Sequence, residues 1–241
     1  MIIQPEYNMN FQYNPFIWIY LSGAILLFLI SAYTVYKRVA DGLWLLTQAL
    51  VIFWCLGFAL QISGTDLKTA AFWYLAANDF VGLKTPVIWL LWALKITGRR
   101  SRLTRLRVAS LFLLPVFTDI LNLTNYRYGL VYRQMWLDLS NPYPVLQFIP
   151  GPWYWVITVY CGLLLMVVIA VQIKAAMNRE LLRPEQGWII AAATTGVLIY
   201  IIWSLIDQGS LIYDLTPVAI ASAAIFTSLV FRFRPQERAE E

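Results

Sequence analysis

Long apolar stretches separated by short polar links set the pattern of this chain. A bilayer is crossed by a helix of about 20 mostly apolar residues. The pattern therefore predicts an all-α membrane protein, a seven-transmembrane helix bundle that occupies residues 15–234. The predicted spans cover about residues 15–36, 43–62, 70–97, 108–124, 151–174, 187–206 and 214–231.

The two ends of the chain are polar. Residues 1–14 carry Glu6 as their one charged side chain and contain no Lys or Arg. A secretory signal begins with a basic region. We therefore expect a retained first span, preceded by an extracytoplasmic segment of residues 1–14. Residues 235–241 are predicted to form a cytoplasmic tail or the start of a linker to an output domain.

Basic residues lie mainly on one side of the predicted bundle. The links after the first, third and fifth spans and the C-terminal tail hold most of them, including the run GRRSRLTRLR at residues 98–107. The opposite side holds only Lys68, Arg127 and Arg133. Cytoplasmic loops are enriched in Lys and Arg, so the N-terminus is predicted outside and the C-terminus in the cytoplasm.

Composition narrows the function classes. Hydrophobic residues make up 60% and charged residues 13% of the chain, whereas soluble domains have roughly 25% charged residues. The net charge of +5 is explained by topology and does not indicate a nucleic-acid partner. The chain has no histidine, which argues against histidine-ligated metals and Ser-His catalysis. We predict no metal, no cofactor and no catalytic residue. The two cysteines, Cys55 and Cys161, lie inside apolar spans and are predicted to be free thiols.

The third span carries two charges, Asp79 and Lys84, within an apolar sequence. A charge in hydrocarbon costs ~3 kcal/mol or more, so such residues usually face a bundle interior or a wet cavity. At 1.5 Å per residue from residue 70, they lie about 13 Å and about 20 Å below the outer end. Asp119 is expected near the outer end of the fourth span, and Asp207 and Asp214 flank the last outer turn.

Two interpretations of these charges remain open. One is an outward-opening polar pocket for a small ligand, with Trp153 and Tyr154 at the start of the fifth span among its candidate residues. The other is that Lys84 pairs with Asp79 or Asp119 only to hold the bundle together. Five residues correspond to roughly 140° around a helix, a poor arrangement for direct pairing of Asp79 with Lys84. The seventh span has no lysine, which argues against a retinal protein.

Proline interrupts two of the spans. Pro86 and Pro115 lie inside the third and fourth spans, where they free backbone carbonyls and permit kinks. Each is a candidate hinge for signal relay or, alternatively, a static kink. Pro217 lies in the first turn of the seventh span, a position that tolerates proline.

Several segments resemble one known family. They are LLPVFTDILNLTNY (113–126), GPWYWVITVY (151–160), DLTPVAIASAAIFTSLVFRFR (214–234), PVIWLLWALKITGR (86–99) and RPEQGWII (183–190). Together they are similar to the N-terminal seven-transmembrane sensor domain of prokaryotic histidine kinases. The resemblance implies a multi-pass protein of the prokaryotic inner or plasma membrane that precedes a histidine kinase, PAS or diguanylate cyclase module. Family members often have a histidine shortly after a Thr-Asn pair, which corresponds to Thr124 and Asn125 here. This chain instead has Tyr126, Arg127 and Tyr128 at the following positions.

The predicted function is therefore a non-catalytic transmembrane sensor of an extracytoplasmic or membrane-borne signal, which it relays to a cytoplasmic histidine kinase or similar output domain in cis or in trans. The expected partners are the lipid bilayer, an unidentified small-molecule ligand and this output domain. A second copy of the chain, in a homodimer, is a further candidate partner. The seventh span would move its cytoplasmic exit, where the candidate relay residues are Phe231, Arg232 and Arg234. One alternative is a small transporter or channel component with Asp79 and Lys84 on its translocation path, and ligand-driven flux into liposomes would reveal it. Another alternative is a structural membrane subunit.

Overall fold

The chain forms a helical bundle with one small sheet at one end. The computed structural model describes residues 9–37, 41–97, 104–178, 184–206 and 214–232. The helices are α1 (Ile17–Tyr36), α2 (Gly42–Ser63), α3 (Leu67–Tyr74), α4 (Thr85–Ile96), α5 (Arg105–Tyr128), α6 (Pro152–Asn178), α7 (Pro184–Ile206) and α8 (Thr216–Arg232), and the strands are β1 (Tyr132–Asp138) and β2 (Val145–Pro150).

Four helices of the described chain are long and apolar enough to cross a membrane: α1, α2, α5 and α6. Shorter apolar stretches lie in α7, at Ile190–Ile199, and in α8, at Thr216–Leu229. The predicted third span is broken into shorter helical pieces and so contains no single long α-helix. The helical character that the sequence pattern predicts is confirmed, and four of the predicted spans meet the length and hydropathy expected of a membrane helix.

The helix α2 lies at the centre of the packing. It contacts α1, α3, α4 and α8, while α6 packs on α4 and α7, and α7 packs on α8. Among the four candidate spans, α2 is the most enclosed by protein and α5 the least. The core between these helices contains large buried side chains such as Tyr20, Phe58, Trp89 and Trp92.

The predicted third span is an interrupted helix, residues 67–96. After α3 comes a π-helical segment, Leu75–Val81, and then a 3₁₀ turn, Gly82–Lys84, before α4 begins. Pro86 has no N–H with which to reach the Gly82 carbonyl four residues back. The Thr85 N–H donates to that carbonyl instead, which tightens the chain into 3₁₀ geometry. π-Helical segments inside α-helices are frequent at functional sites.

A two-stranded antiparallel sheet corrects the all-α prediction. The strands β1 and β2 pair over residues 132–150, with a register irregularity between Tyr132 and Gln134. We call this unit the hairpin, and the end of the bundle where it lies the hairpin end. The sequence pattern predicted no strand here, and these residues lie between the predicted fourth and fifth spans. The register irregularity interrupts the alternation of polar and apolar residues that predicts strands.

The helix α5 is longer than the predicted span of residues 108–124. The Thr104 side chain accepts a hydrogen bond from the Arg107 N–H at its start, and Gly129 ends it with a positive φ of 58°. Glycine adopts this left-handed conformation without the strain that a Cβ would bring. Asn125, one turn earlier, accepts hydrogen bonds from the Val131 and Tyr132 amides and donates to the Tyr132 carbonyl. The end of α5 and the start of the hairpin therefore form one hydrogen-bonded unit.

The described part of the N-terminal segment lies against the turn between α2 and α3. The Gln12 N–H donates to the Ser63 carbonyl at 2.8 Å, and the Thr65 N–H donates to the Asn10 carbonyl at 3.0 Å. The Asn14 side chain is buried and donates to the Ile62 carbonyl. These bonds hold the chain just before α1 at the hairpin end.

Candidate functional site

Asp79 is the centre of a polar network at the hairpin end. Its side chain is 3% exposed and lies in the π-helical segment. The Tyr132 hydroxyl donates to the carboxylate at 2.8 Å, the Asn122 amide donates at 2.7 Å, and the Asn78 amide donates at 3.0 Å. A buried carboxylate is tolerated when such donors surround it.

The donors to Asp79 come from three different parts of the chain. Asn78 belongs to the same π-helical segment, Asn122 lies in α5, and Tyr132 begins β1. Charge-assisted hydrogen bonds of this kind are about twice as strong as neutral ones. The carboxylate therefore joins the interrupted helix, α5 and the hairpin at one point.

An aromatic cluster surrounds the Tyr132 side of this network. The rings of Tyr132 and Phe148 are 5.0 Å apart, and Tyr154 lies 5.6 Å from Phe148. Tyr74 contacts both Tyr132 and Phe148, at 5.8 Å and 5.5 Å. These distances are within the 4.5–7 Å range of favourable aromatic pairs. The hairpin is thus fastened to α3 and α6 by rings as well as by the Asp79 carboxylate.

Lys84 makes an ion pair beside the network. Its Nζ lies 2.6 Å from both carboxylate oxygens of Asp119, and it also donates to the backbone carbonyl of Asp79 at 3.3 Å. The two side chains are 14% and 22% exposed. Of the two partners left open by the sequence, the structure selects the Asp119 carboxylate. Lys84 also lies over the Phe80 ring, 4.5 Å from its centre.

Among the remaining candidate ligand residues, Tyr154 lies beside the Asp79 network, whereas Trp153 and Asp214 make hydrogen bonds elsewhere. Trp153 donates from its indole N–H to the Thr118 hydroxyl of α5 at 2.9 Å, and Tyr154 belongs to the aromatic cluster. The Asp214 side chain accepts from the Thr216 N–H at the start of α8, and its carbonyl accepts from the Tyr20 hydroxyl. Asp207 lies outside the described residues. The structure thus brings Asp79, Lys84, Asp119 and Tyr154 into one connected neighbourhood.

The candidate relay residues are placed only in part. Pro86 lies at the junction of the 3₁₀ turn with α4, and Pro115 lies inside the continuous helix α5. Phe231 and Arg232 are the last two residues of α8. Arg234 and residues 98–103 of the basic run lie outside the described part of the chain.

Three partners of Asp79 were not predicted from the sequence: Tyr132, Asn122 and Asn78. Asn122 lies in the segment 113–126 that resembles the family, but neutral polar residues near a predicted membrane edge rarely stand out. A usable signal was Asn78 directly beside Asp79 within an apolar span. The pairing with Tyr132 depends on how the hairpin folds back, which no local pattern reveals.

Backbone N–H groups lower the pKa values of two carboxylates at the hairpin end, Asp66 before α3 and Asp138 at the end of β1. The Thr69 N–H donates to the Asp66 side chain, and this bond lowers the pKa of Asp66. The Ser140 N–H likewise lowers the pKa of Asp138. A depressed carboxyl pKa contributes stability above its unfolded-state value, and that stability is lost as the pH falls through the folded-state value. The hydrogen bonds to these two carboxylates therefore contribute stability at neutral pH that is lost in acid solution.

The Tyr132 hydroxyl offers a direct test of the network. Tyr132→Phe keeps the ring in the aromatic cluster but removes the donor to Asp79. Hydrogen bonds to charged groups contribute about 1.5–3 kcal/mol, and we expect Tyr132→Phe to lower the free energy of unfolding by about this amount. Thermal unfolding in detergent measures the effect. Tyr128→Phe, at an exposed ring, is the matched control, and an equal loss in both variants would contradict the assignment.

The architecture is that of a helical membrane protein, with an enclosed polar network where its hairpin meets the bundle. A family model described as the N-terminal 7TM region of histidine kinase matches residues 19–235. The chain belongs to this family, and the resemblance seen in the sequence is confirmed. The matched region is the non-catalytic sensor part of histidine kinases. Comparison with curated proteins and with solved structures gives no significant match.

Proposed function

We propose that this chain is the transmembrane sensor module of a signalling protein and relays an extracytoplasmic or membrane-borne signal to a cytoplasmic histidine kinase or similar output domain. The family supplies the class of protein. The Asp79 network carries the proposal at the level of residues, because a single carboxylate joins the hairpin, α5 and the interrupted helix. A signal that alters the hairpin end would change the partners of Asp79.

The network suits a switch because its parts depend on one buried charge. A ligand shifts a conformational equilibrium only through different affinities for the two states. Removing even one hydrogen-bond donor from the buried Asp79 carboxylate costs free energy. A state in which one of these hydrogen bonds is broken therefore differs in free energy from the state in which all are formed. The π-helical segment adds a further point of change, since it can convert locally to α-helix.

The proposed arrangement has seven spans in a prokaryotic inner or plasma membrane, with the hairpin end outside. The charge distribution supports this orientation through the basic links and tail. We expect cysteines placed at Asp66 and Asp138 to react with an impermeant maleimide in intact cells, and a cysteine at Arg102 to react only after permeabilisation. Reaction at Arg102 in intact cells would overturn the orientation.

The output role is tested at the end of α8. In a fusion of the full chain to a histidine kinase catalytic module, one to four residues are inserted after Arg234. Each residue changes helical phase by about 100°. We expect autophosphorylation in membrane vesicles to vary periodically with insert length while expression stays constant. The same output for all four insertions would show a flexible tether and would contradict relay through α8.

A further inference from the structure

A second buried polar cluster lies at the end of the bundle opposite the hairpin. Ser228 of α8 accepts hydrogen bonds from the Gln48 amide at 2.8 Å and from the Trp44 indole N–H at 3.0 Å. Its own hydroxyl donates to the Ala224 carbonyl. Ser31 of α1 donates to the Gln48 side-chain oxygen at 3.0 Å. We call these four side chains, Ser31, Trp44, Gln48 and Ser228, the clasp.

The side chains at the centre of the clasp are buried. Gln48 is 0% exposed and Ser228 is 3% exposed. Helices in a membrane gain no hydrophobic free energy by packing on each other, so interhelical hydrogen bonds and close packing hold them together. The clasp therefore fixes the last turns of α8 to α2, and α2 to α1, close to the point where α8 ends.

Trp44 connects the clasp to the interrupted helix. Its ring lies 4.2 Å from the Trp92 ring and 6.0 Å from the Trp89 ring, both in α4. Trp89 and Trp92 are almost completely buried. A shift of α4 along or around its axis would move the ring of Trp44, and with it the indole N–H that Ser228 accepts.

A second contact links the same two helices. Lys95, near the end of α4, makes an ion pair with Asp41. The Asp41 side chain also accepts hydrogen bonds from the Leu43 and Trp44 amides and so caps α2. Both the backbone and the side chain of Trp44 are therefore tied to α4. Asp79 lies 13 positions before Trp92 in the same interrupted helix, roughly 20 Å away at helical rise.

We propose that the clasp is the regulatory contact that transmits the state of the Asp79 network to α8. A change at Asp79 repositions α4 through the interrupted helix, α4 moves Trp44, and Trp44 alters the hold of the clasp on Ser228. This inference rests on the proposed function for its output, but the coupling itself is a property of the chain. It assigns a role to Trp44, Gln48 and Ser228, none of which is among the candidate residues predicted from the sequence.

The first experiment uses the full chain fused to a kinase module in membrane vesicles. Asp79→Asn removes the charge at the network, and we expect it to change autophosphorylation about fivefold or more, as for a typical coupling free energy between sites. In a Ser228→Ala background the same Asp79→Asn change should have little further effect. In a Ser228→Thr background, which keeps a hydroxyl, the effect of Asp79→Asn should return.

Ser222→Ala is the matched control. Ser222 lies in the same helix and donates to the carbonyl four residues back, as Ser228 does, but it is exposed. The Asp79→Asn effect should persist unchanged in this background. If Asp79→Asn changes output equally with Ser228→Ala and with Ser222→Ala, the clasp does not transmit the state of Asp79 and the proposal is overturned.

The second experiment needs no output domain. Spin labels at two exposed positions, Leu46 of α2 and Leu229 of α8, report the distance across the clasp in lipid nanodiscs, with Cys55 and Cys161 replaced. We expect Ser228→Ala and Asp79→Asn each to broaden the distance distribution, and Ser222→Ala to leave it narrow. A distribution that Asp79→Asn leaves unchanged would overturn the relay.

The outcomes separate the relay from the proposed function. A periodic response to insertions after Arg234, together with no effect of Asp79→Asn, would overturn the relay and leave the sensor role intact. Uniform output in the insertion series, with broadening by both Asp79→Asn and Ser228→Ala, would support the relay and contradict the output role.

Discussion

Replacing Lys84 with methionine is expected to lower the free energy of unfolding by up to about 3 kcal/mol, the lower end of the range for a buried ion pair, because this pair is only partly buried. Methionine keeps the length and apolar character of the side chain but leaves the Asp119 carboxylate without its cation, 2.6 Å away in the unchanged protein. Thermal unfolding of the protein in detergent or nanodiscs measures the loss.

A double-mutant cycle identifies the partner of Lys84. Lys84→Met combined with Asp119→Asn should recover much of the lost stability, because no uncompensated charge remains. Lys84→Met combined with Asp79→Asn should give nearly additive losses of stability. The reason is that the hydrogen bond from Lys84 to Asp79 goes to the backbone carbonyl and not to the carboxylate that Asp79→Asn removes. Interaction free energies in contacting pairs are about 0.5–3 kcal/mol. A larger coupling with Asp79 than with Asp119 would contradict this assignment.

Gly57→Ala should destabilise the protein by about 1–3 kcal/mol or more, the typical cost of overpacking a close contact. A Cβ at Gly57 of α2 would lie 2.4 Å from the Ala77 Cβ in the π-helical segment. Either α2 or the segment that carries Asp79 must move. Thermal unfolding and expression level are the measurements.

Two further variants make this result specific. Gly57→Ala with Ala77→Gly exchanges the methyl group between the two helices and should restore much of the stability. Gly162→Ala in α6 adds a Cβ that meets nothing within 4 Å, and alanine is favoured over glycine in helices by about 1 kcal/mol. Gly162→Ala should therefore be neutral or stabilising. A similar loss at Gly57 and Gly162 would show that the close contact with Ala77 is unimportant.

Much of the architecture could be predicted from residue patterns because bilayer solvation acts on each segment separately. The length of the apolar stretches identified the four helices that are long and apolar enough to cross a membrane. The positions of the charged residues indicated that Asp79, Lys84 and Asp119 lie close together. The interruption of the third span was harder to predict. Pro86 indicated a break, but the π-helical segment before it depends on the packing of α2, where Gly57 and Trp54 contact Ala77 and Gly82.

By itself, the sequence determined that this is a helical membrane protein of the histidine kinase 7TM family, with charges buried in its third span, because hydropathy and charge cost are local properties of each segment. Only the tertiary structure decided which groups meet. The pairing of Lys84 with Asp119, the donation of Asn122 and Tyr132 to Asp79, and the contact of Trp44 with Ser228 join residues that are 35 to 184 positions apart. Such pairings depend on how helices pack, and packing is a property of the assembled bundle.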